Sequence, residues 1–89
     1  MKAIYKVQGG KLIKVDLTLE NNKIKKINIT GDFFCHPEEK FEQIEKRLKD
    51  TTFEKGFILK KINEVVHQHQ LTLVGVSSQD LAETISQAK

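Results

Sequence analysis

Apolar residues recur with a period of two as far as Thr30 and with helical spacing from Phe41 onward, and the change falls in Gly31-Asp32-Phe33-Phe34-Cys35-His36-Pro37-Glu38-Glu39. A chain with one such change buries its hydrophobic side chains as strands first and helices afterwards. The strand half is clearest at Ile13, Val15, Leu17 and Leu19, which alternate with Lys14, Asp16, Thr18 and Glu20, so one face is buried and the other wet. Ahead of it, Ala3 to Gln8 alternates weakly and ends in Gly9-Gly10, a pair that can turn a hairpin through positive φ.

Asn21-Asn22 supplies the next turn, placing Glu20 opposite Lys23 and Leu19 opposite Ile24. Direct pairing would then set Leu17 against Lys26. A bulge at Lys25-Lys26 restores the pattern, with Ile27 opposite Leu17 and Ile29 on the face of Val15, so the third strand is expected over Lys23 to Thr30.

Beyond the switch, Pro37 suits a first helical turn, and Glu38 and Glu39 lie where the helix dipole favours negative charge. A first helix is predicted from Pro37 to about Asp50, with Phe41, Ile44 and Leu48 on one stripe. Thr51 and Glu54 fit a capping box for a second helix, about Thr52 to Gln68, whose stripe is Ile58, Ile62, Val65, Val66 and His69. Leu71 to Val76 reads as an extended connector. Ser77, with Asp80 three residues on, starts a third helix, Ser78 to about Ala88. The expected fold is α+β: a three-stranded antiparallel sheet followed by three helices packed on one face, a single domain over residues 1–89.

Charge divides at the same place. Residues 1–30 hold seven lysines against Asp16 and Glu20, whereas residues 31–89 hold eight basic and ten acidic side chains. The basic sheet suits an anionic partner or simply a lysine-guarded strand surface. One cysteine makes no internal disulfide, the first residues lack a signal-like apolar run, and no apolar stretch approaches the roughly 18 residues of a membrane span, so a cytoplasmic protein without membrane association is expected.

Catalytic signatures are not found. Cys35 and His36 are adjacent and so point apart, His67 and His69 are about 200° apart on a helix, and the sequence has no phosphate loop, nucleotide fingerprint or zinc spacing. No catalytic or metal residue is therefore assigned. The unusual feature is Phe33-Phe34: successive residues face opposite ways, so a ring that enters the core leaves its neighbour toward the surface or a partner.

The run Gly9-Gly10-Lys11-Leu12, the Val15-Asp16-Leu17 strand, the Ile24 to Ile29 strand, Gly31-Asp32-Phe33-Phe34 and Pro37-Glu38-Glu39 together resemble the small C-terminal domain of lipoate-protein ligases. Leu48, the Ile58 to Val66 helix and Gly75 to Leu81 extend the likeness over nearly the whole chain, while a glycine usual near the end of the first helix is replaced around Asp50. The resemblance implies an accessory domain beside a larger catalytic one that binds lipoate, ATP and Mg, forms lipoyl-adenylate and passes the lipoyl group to a lysine of a carrier protein. With Met1 at its first strand, the chain looks like a stand-alone accessory subunit in a heterodimer with the catalytic subunit, needing no cofactor of its own and meeting the lipoyl-carrier protein transiently. Gly31, Asp32, Phe33, Phe34, His36, Pro37 and Glu38 are then the candidate activation motif and partner interface, and Gly10 and Lys11 a candidate anion or partner contact. The alternatives are a nucleic-acid-binding module that uses the lysine-rich sheet, and a relative in fold alone that binds another carrier or enzyme.

Overall fold

The computed structural model describes residues 1–7 and 9–89, so the Gln8 end of the first strand expectation lies outside the described residues. Strands β1 (Lys2–Lys6), β2 (Leu12–Glu20) and β3 (Lys23–Gly31) form an antiparallel sheet in that order. Its inner face carries Ile13, Val15 and Leu17 of β2 with Ile24, Ile27 and Ile29 of β3, all buried. The β2–β3 register sets Leu17 opposite Ile27 and Val15 opposite Ile29, with a shift between Thr18 and Leu19 where Lys25 is the extra residue. That bulge keeps every isoleucine of β3 on the core side, as period-two packing demands. Asn21 and Asn22 make the turn at φ of 54° and 62°.

Three helices cover the inner face: α1 (Glu42–Leu48), α2 (Lys55–Gln68) and α3 (Ser78–Ser86). α1 brings Ile44 and Leu48, α2 brings Ile58, Ile62 and Val65, and α3 brings Leu81, Ala82 and Ile85 into one cluster with the sheet. Glu45 fastens α1 to β3 by accepting the Ile29 N–H at 2.7 Å. Ser77 and Asp80 form a reciprocal capping box at the start of α3, with bonds of 2.8 and 3.1 Å.

Two helix starts differ from the sequence expectation. Pro37 does not open an α-helix: it precedes a short 3-10 turn, Glu38–Lys40, and α1 begins only at Glu42, because His36 is still held extended by strand pairing. The Thr51–Glu54 capping box does not form either. Residues 50–53 run instead beside the start of β3: Asp50 N–H donates to Ile24 O, Ile24 N–H to Thr51 O and Phe53 N–H to Asn22 O, while Thr51 Oγ1 donates back to Arg47 O. Long-range backbone pairing has outcompeted a local cap, and α2 starts later, at Lys55.

The first helix ends at Leu48, two residues before a left-handed position, Asp50 with φ of 68°. This is the place where the resemblance called for glycine, which takes such a φ without strain. Asp50→Gly is expected to stabilise the fold by about 0.5 to 1 kcal/mol, relief of left-handed strain outweighing the added freedom of the unfolded chain. A fall in the denaturation midpoint would contradict this account of the turn.

Two short strands were not foreseen. The connector after α2 contains a short strand, β5 (Thr72–Val74), which pairs antiparallel with β4 (Phe34–His36) to make a second, two-stranded sheet. The period change is therefore a strand in its own right.

Candidate functional site

The segment between β3 and α1 divides its labour residue by residue. Gly31 closes β3 so tightly against β2 that an added Cβ would fall 2.2 Å from Leu12 O and 2.8 Å from the Phe33 ring. Asp32 follows as a clasp, its Oδ1 accepting the Leu12 N–H at 2.6 Å and its own N–H donating to Leu12 O at 3.2 Å. Phe33 turns inward, half-buried against the core, with its ring centroid 5.5 Å from that of Phe41 at a tilt of 51°. Phe34 turns outward and is 67% exposed. The alternation of an extended chain, anchored at Phe33, is what presents Phe34.

β5 adds a second exposed side chain to the same surface. In the β4–β5 register Phe34 stands opposite Val74, which is 52% exposed, and His36 opposite Thr72, while Cys35 and Leu73 form the inner row. Val74 is followed by Gly75 at φ of 93°, and the methylenes of Lys11 lie over it, so that a Cβ at Gly75 would come within 3.1 Å of Lys11 Cγ. Gly10, beside Lys11, is held in its turn by donating to Val7 O. The fold thus brings the two separated sequence candidates near β5, Phe34 with His36 by strand pairing and Lys11, next to Gly10, by its contact with Gly75 at the strand's end.

Other candidates fall outside this surface or serve the fold. Asp32 and Gly31 support the exposed ring rather than extend the apolar surface, since both meet the backbone of Leu12. Pro37 O and Glu38 O accept the N–H groups of Lys40 and Phe41 at 3.1 Å, building the 3-10 turn. Cys35 is half-buried with its Sγ 3.9 Å from Pro37 O; burial, and after it the charge of Glu39, pushes its thiol pKa up, away from the thiolate that a nucleophile needs. Thr72, Val74 and Gly75 were missed by sequence reasoning. The signal was there in outline: Leu71 and Leu73 alternate with Thr72 and Val74.

The lysines are not gathered at this site. Lys25 is paired with Glu20 at 2.5 Å and, with Lys26, Lys46 and Lys49, borders a groove of about 630 Å³ between the β3 bulge and α1. Lys14 is on the open face of the main sheet, opposite Ile4 in register, and Lys11 is at β5. We expect no duplex or RNA binding at physiological salt. A tight complex whose affinity falls steeply with salt, about one unit of log–log slope per phosphate neutralised, would favour the nucleic-acid alternative.

A family model described as the bacterial lipoate protein ligase C-terminus matches residues 3–85. The chain belongs to that family. It is 32% identical over 84 residues to lipoate-protein ligase A subunit 2 of Thermoplasma acidophilum, a match covering 91% of this chain and 82% of the relative. A solved structure of a bipartite lipoate protein ligase and its E2 lipoyl domain, from the same organism, contains a chain that superposes with a TM-score of 0.83 at 32% identity, covering 96% of this chain and 92% of the other. The lipoate-protein ligase C-terminal family accounts for the three-stranded sheet, the three helices and the Gly31–Glu39 segment that first pointed to it. Among the described residues, no helix is long and apolar enough to cross a membrane.

Proposed function

We propose that this chain is the accessory subunit of a two-component lipoate-protein ligase, required with a catalytic subunit for ATP-dependent activation of lipoate to lipoyl-adenylate before transfer to a lysine of a carrier protein. The observation that carries the reading is the pair Phe34 and Val74, exposed together on a small sheet whose first strand follows directly on Asp32, bonded to Leu12, and Phe33, packed against the core. An exposed aromatic on a rigid support has the character of an interface anchor: its ordering cost is met in advance, and burying it against a partner releases water from apolar surface. Lys11 and His36 border the apolar pair and supply its polar rim.

The role assigned to the chain is to complete the partner's active site without taking part in bond making. The sequence has no phosphate loop or nucleotide fingerprint, and the chemical steps are assigned to the catalytic partner. Lipoate, ATP and Mg are assigned to the catalytic partner, and the pair is expected in the cytoplasm. Docked on the partner, a rigid wedge can order the loop over the mixed anhydride and keep water from it, which protects a hydrolysable intermediate until the carrier lysine arrives.

The test is reconstitution. The chain alone, given lipoate, ATP and Mg, should release no pyrophosphate, the catalytic subunit alone little, and the mixture should release it with an equimolar endpoint. Pyrophosphate release by this chain alone, or full activity of the catalytic subunit without it, would remove the reading.

A further inference from the structure

The main sheet has a second face. The helices cover its core side, and alternation exposes on the other side Lys2, Ile4 and Lys6 of β1, Lys14 and Asp16 of β2, and Lys26 of β3. The register sets Ile4 beside Lys14 and Lys2 beside Asp16, and Ile4 is 67% exposed. A shallow depression of about 300 Å³ lies beside Ile4 and Lys14, bordered across β2 by Asn28 and Thr30. At the edge of the sheet the backbone of Lys89 pairs with Lys2: the Lys2 N–H donates to Lys89 O at 2.9 Å and the Lys2 C=O accepts from Lys89 N–H at 3.0 Å. A strand in that position widens the open face without covering it, and Lys14 and Lys26 lie further in, on β2 and β3.

The charge on this face is largely uncompensated. Lys2, Lys6, Lys14 and Lys26 make no ion pair among the described residues, whereas Lys46, Arg47, Lys55 and Lys61 of the helices each have a carboxylate partner. At the two ends of β2, Glu20 is taken by Lys25 and Asp32 by the Leu12 N–H. That leaves Asp16 against four cations, a field that attracts an anionic surface. Nucleic acid is a poor match, because sheets that bind single strands stack bases on aromatic side chains, and Tyr5, the aromatic of this sheet, packs on the core side. A second copy is a poor match too, since face-to-face contact would oppose cation to cation. The occupant that fits is an acidic protein surface. One aliphatic residue among separated charges leaves little area to be dried, so contact here is fast to form and fast to break. Such contact suits a partner that arrives and leaves at each turnover. It does not suit the catalytic subunit, whose lasting contact is assigned to Phe34 and Val74.

We infer that the open face of the main sheet is where the carrier protein docks, a patch of its carboxylates meeting Lys2, Lys6, Lys14 and Lys26 and one apolar side chain resting in the depression beside Ile4. The inference rests on the ligase reading and gives a use to a surface that shares no residue with the Phe34 and Val74 pair.

The test uses the ligase reconstituted from the full chain and the catalytic subunit. Two rates are measured: pyrophosphate release from lipoate and ATP without carrier, and lipoylation of the apo carrier domain over a range of its concentrations. The double variant Lys14→Glu, Lys26→Glu should leave the first rate within about twofold of the parent and raise KM for the carrier by about tenfold or more, with kcat little changed. Added salt should raise KM for the parent and have less effect on the double variant. Asp16→Lys should lower KM by about threefold, a gain that damage to the fold cannot mimic, so it decides alone should the double variant fail to fold. Normal pyrophosphate release with KM within about twofold of the parent in both variants would overturn the docking assignment and leave the ligase reading standing. Loss of pyrophosphate release in a folded double variant would overturn it as well, by showing that this face meets the catalytic subunit. A parent mixture that forms no lipoyl-adenylate would overturn the ligase reading and this inference together.

Discussion

Gly31→Ala is expected to lower stability by about 3 kcal/mol, an effect closer to that of a core deletion than to that of a surface change. Gly31 is not there for an unusual φ. The added methyl would lie 2.2 Å from Leu12 O, a backbone atom fixed in β2, and under 3 Å from two atoms of the Phe33 ring, so neither neighbour can yield without breaking the β2–β3 closure or dislodging the ring. The Asp32 clasp on Leu12 N–H would loosen with it. Urea unfolding measures the change directly, and for a domain of this size the midpoint temperature should fall on the order of 10 to 20 °C. Stability within about 0.5 kcal/mol of the parent chain would show that the strand ends can separate at little cost, and that the close approach does not hold β4 in place.

The second large effect is on the partner and not on the fold. Phe34→Ala removes an exposed ring and should leave the unfolding midpoint nearly unchanged, because the core ring in this segment is Phe33. If Phe34 anchors the catalytic subunit, association weakens by about 2 kcal/mol, near 30-fold in Kd, and lipoyl-adenylate formation at limiting subunit concentration falls accordingly. Leu17→Ala is the benchmark for the opposite behaviour: it opens a cavity opposite Ile27 and should cost about 2 to 5 kcal/mol of stability. A Phe34 variant that unfolds like the Leu17 variant, or one that folds and supports full adenylation, would refute the anchor assignment.

These two residues show where sequence reasoning reached and where it stopped. The main sheet was legible because its information is local: strict alternation in β2, two asparagines able to turn, and one register that keeps Ile27 and Ile29 on the buried side. The opposed orientation of Phe33 and Phe34 was legible for the same reason. β5 showed only in outline, as Leu71 and Leu73 alternating with Thr72 and Val74, and its partner did not show at all, since the pairing joins three-residue strands, Phe34 to Val74, across nearly half the chain. The start of α2 was misread because a Thr51–Glu54 cap is visible locally, whereas the competing bonds from Ile24 and Asn22 to residues 50–53 arise only when the chain is folded. Of the candidate site, the residues before α1 could be named in advance; the strand that stands beside them could not.

The reciprocal backbone bonds between Lys2 and Lys89 also fix where this domain can be tied to something else. Both ends of the chain emerge side by side at one corner of the main sheet, so a tether attached before Met1 and a tether attached after Lys89 would leave from nearly the same point. Covalent fusion at either end would hold the domain over the same reach of a neighbouring protein, and rejoining the two ends with a short loop while opening an exposed turn elsewhere would preserve every strand pairing of the sheet. For such a module, chain order and spatial placement are separable properties.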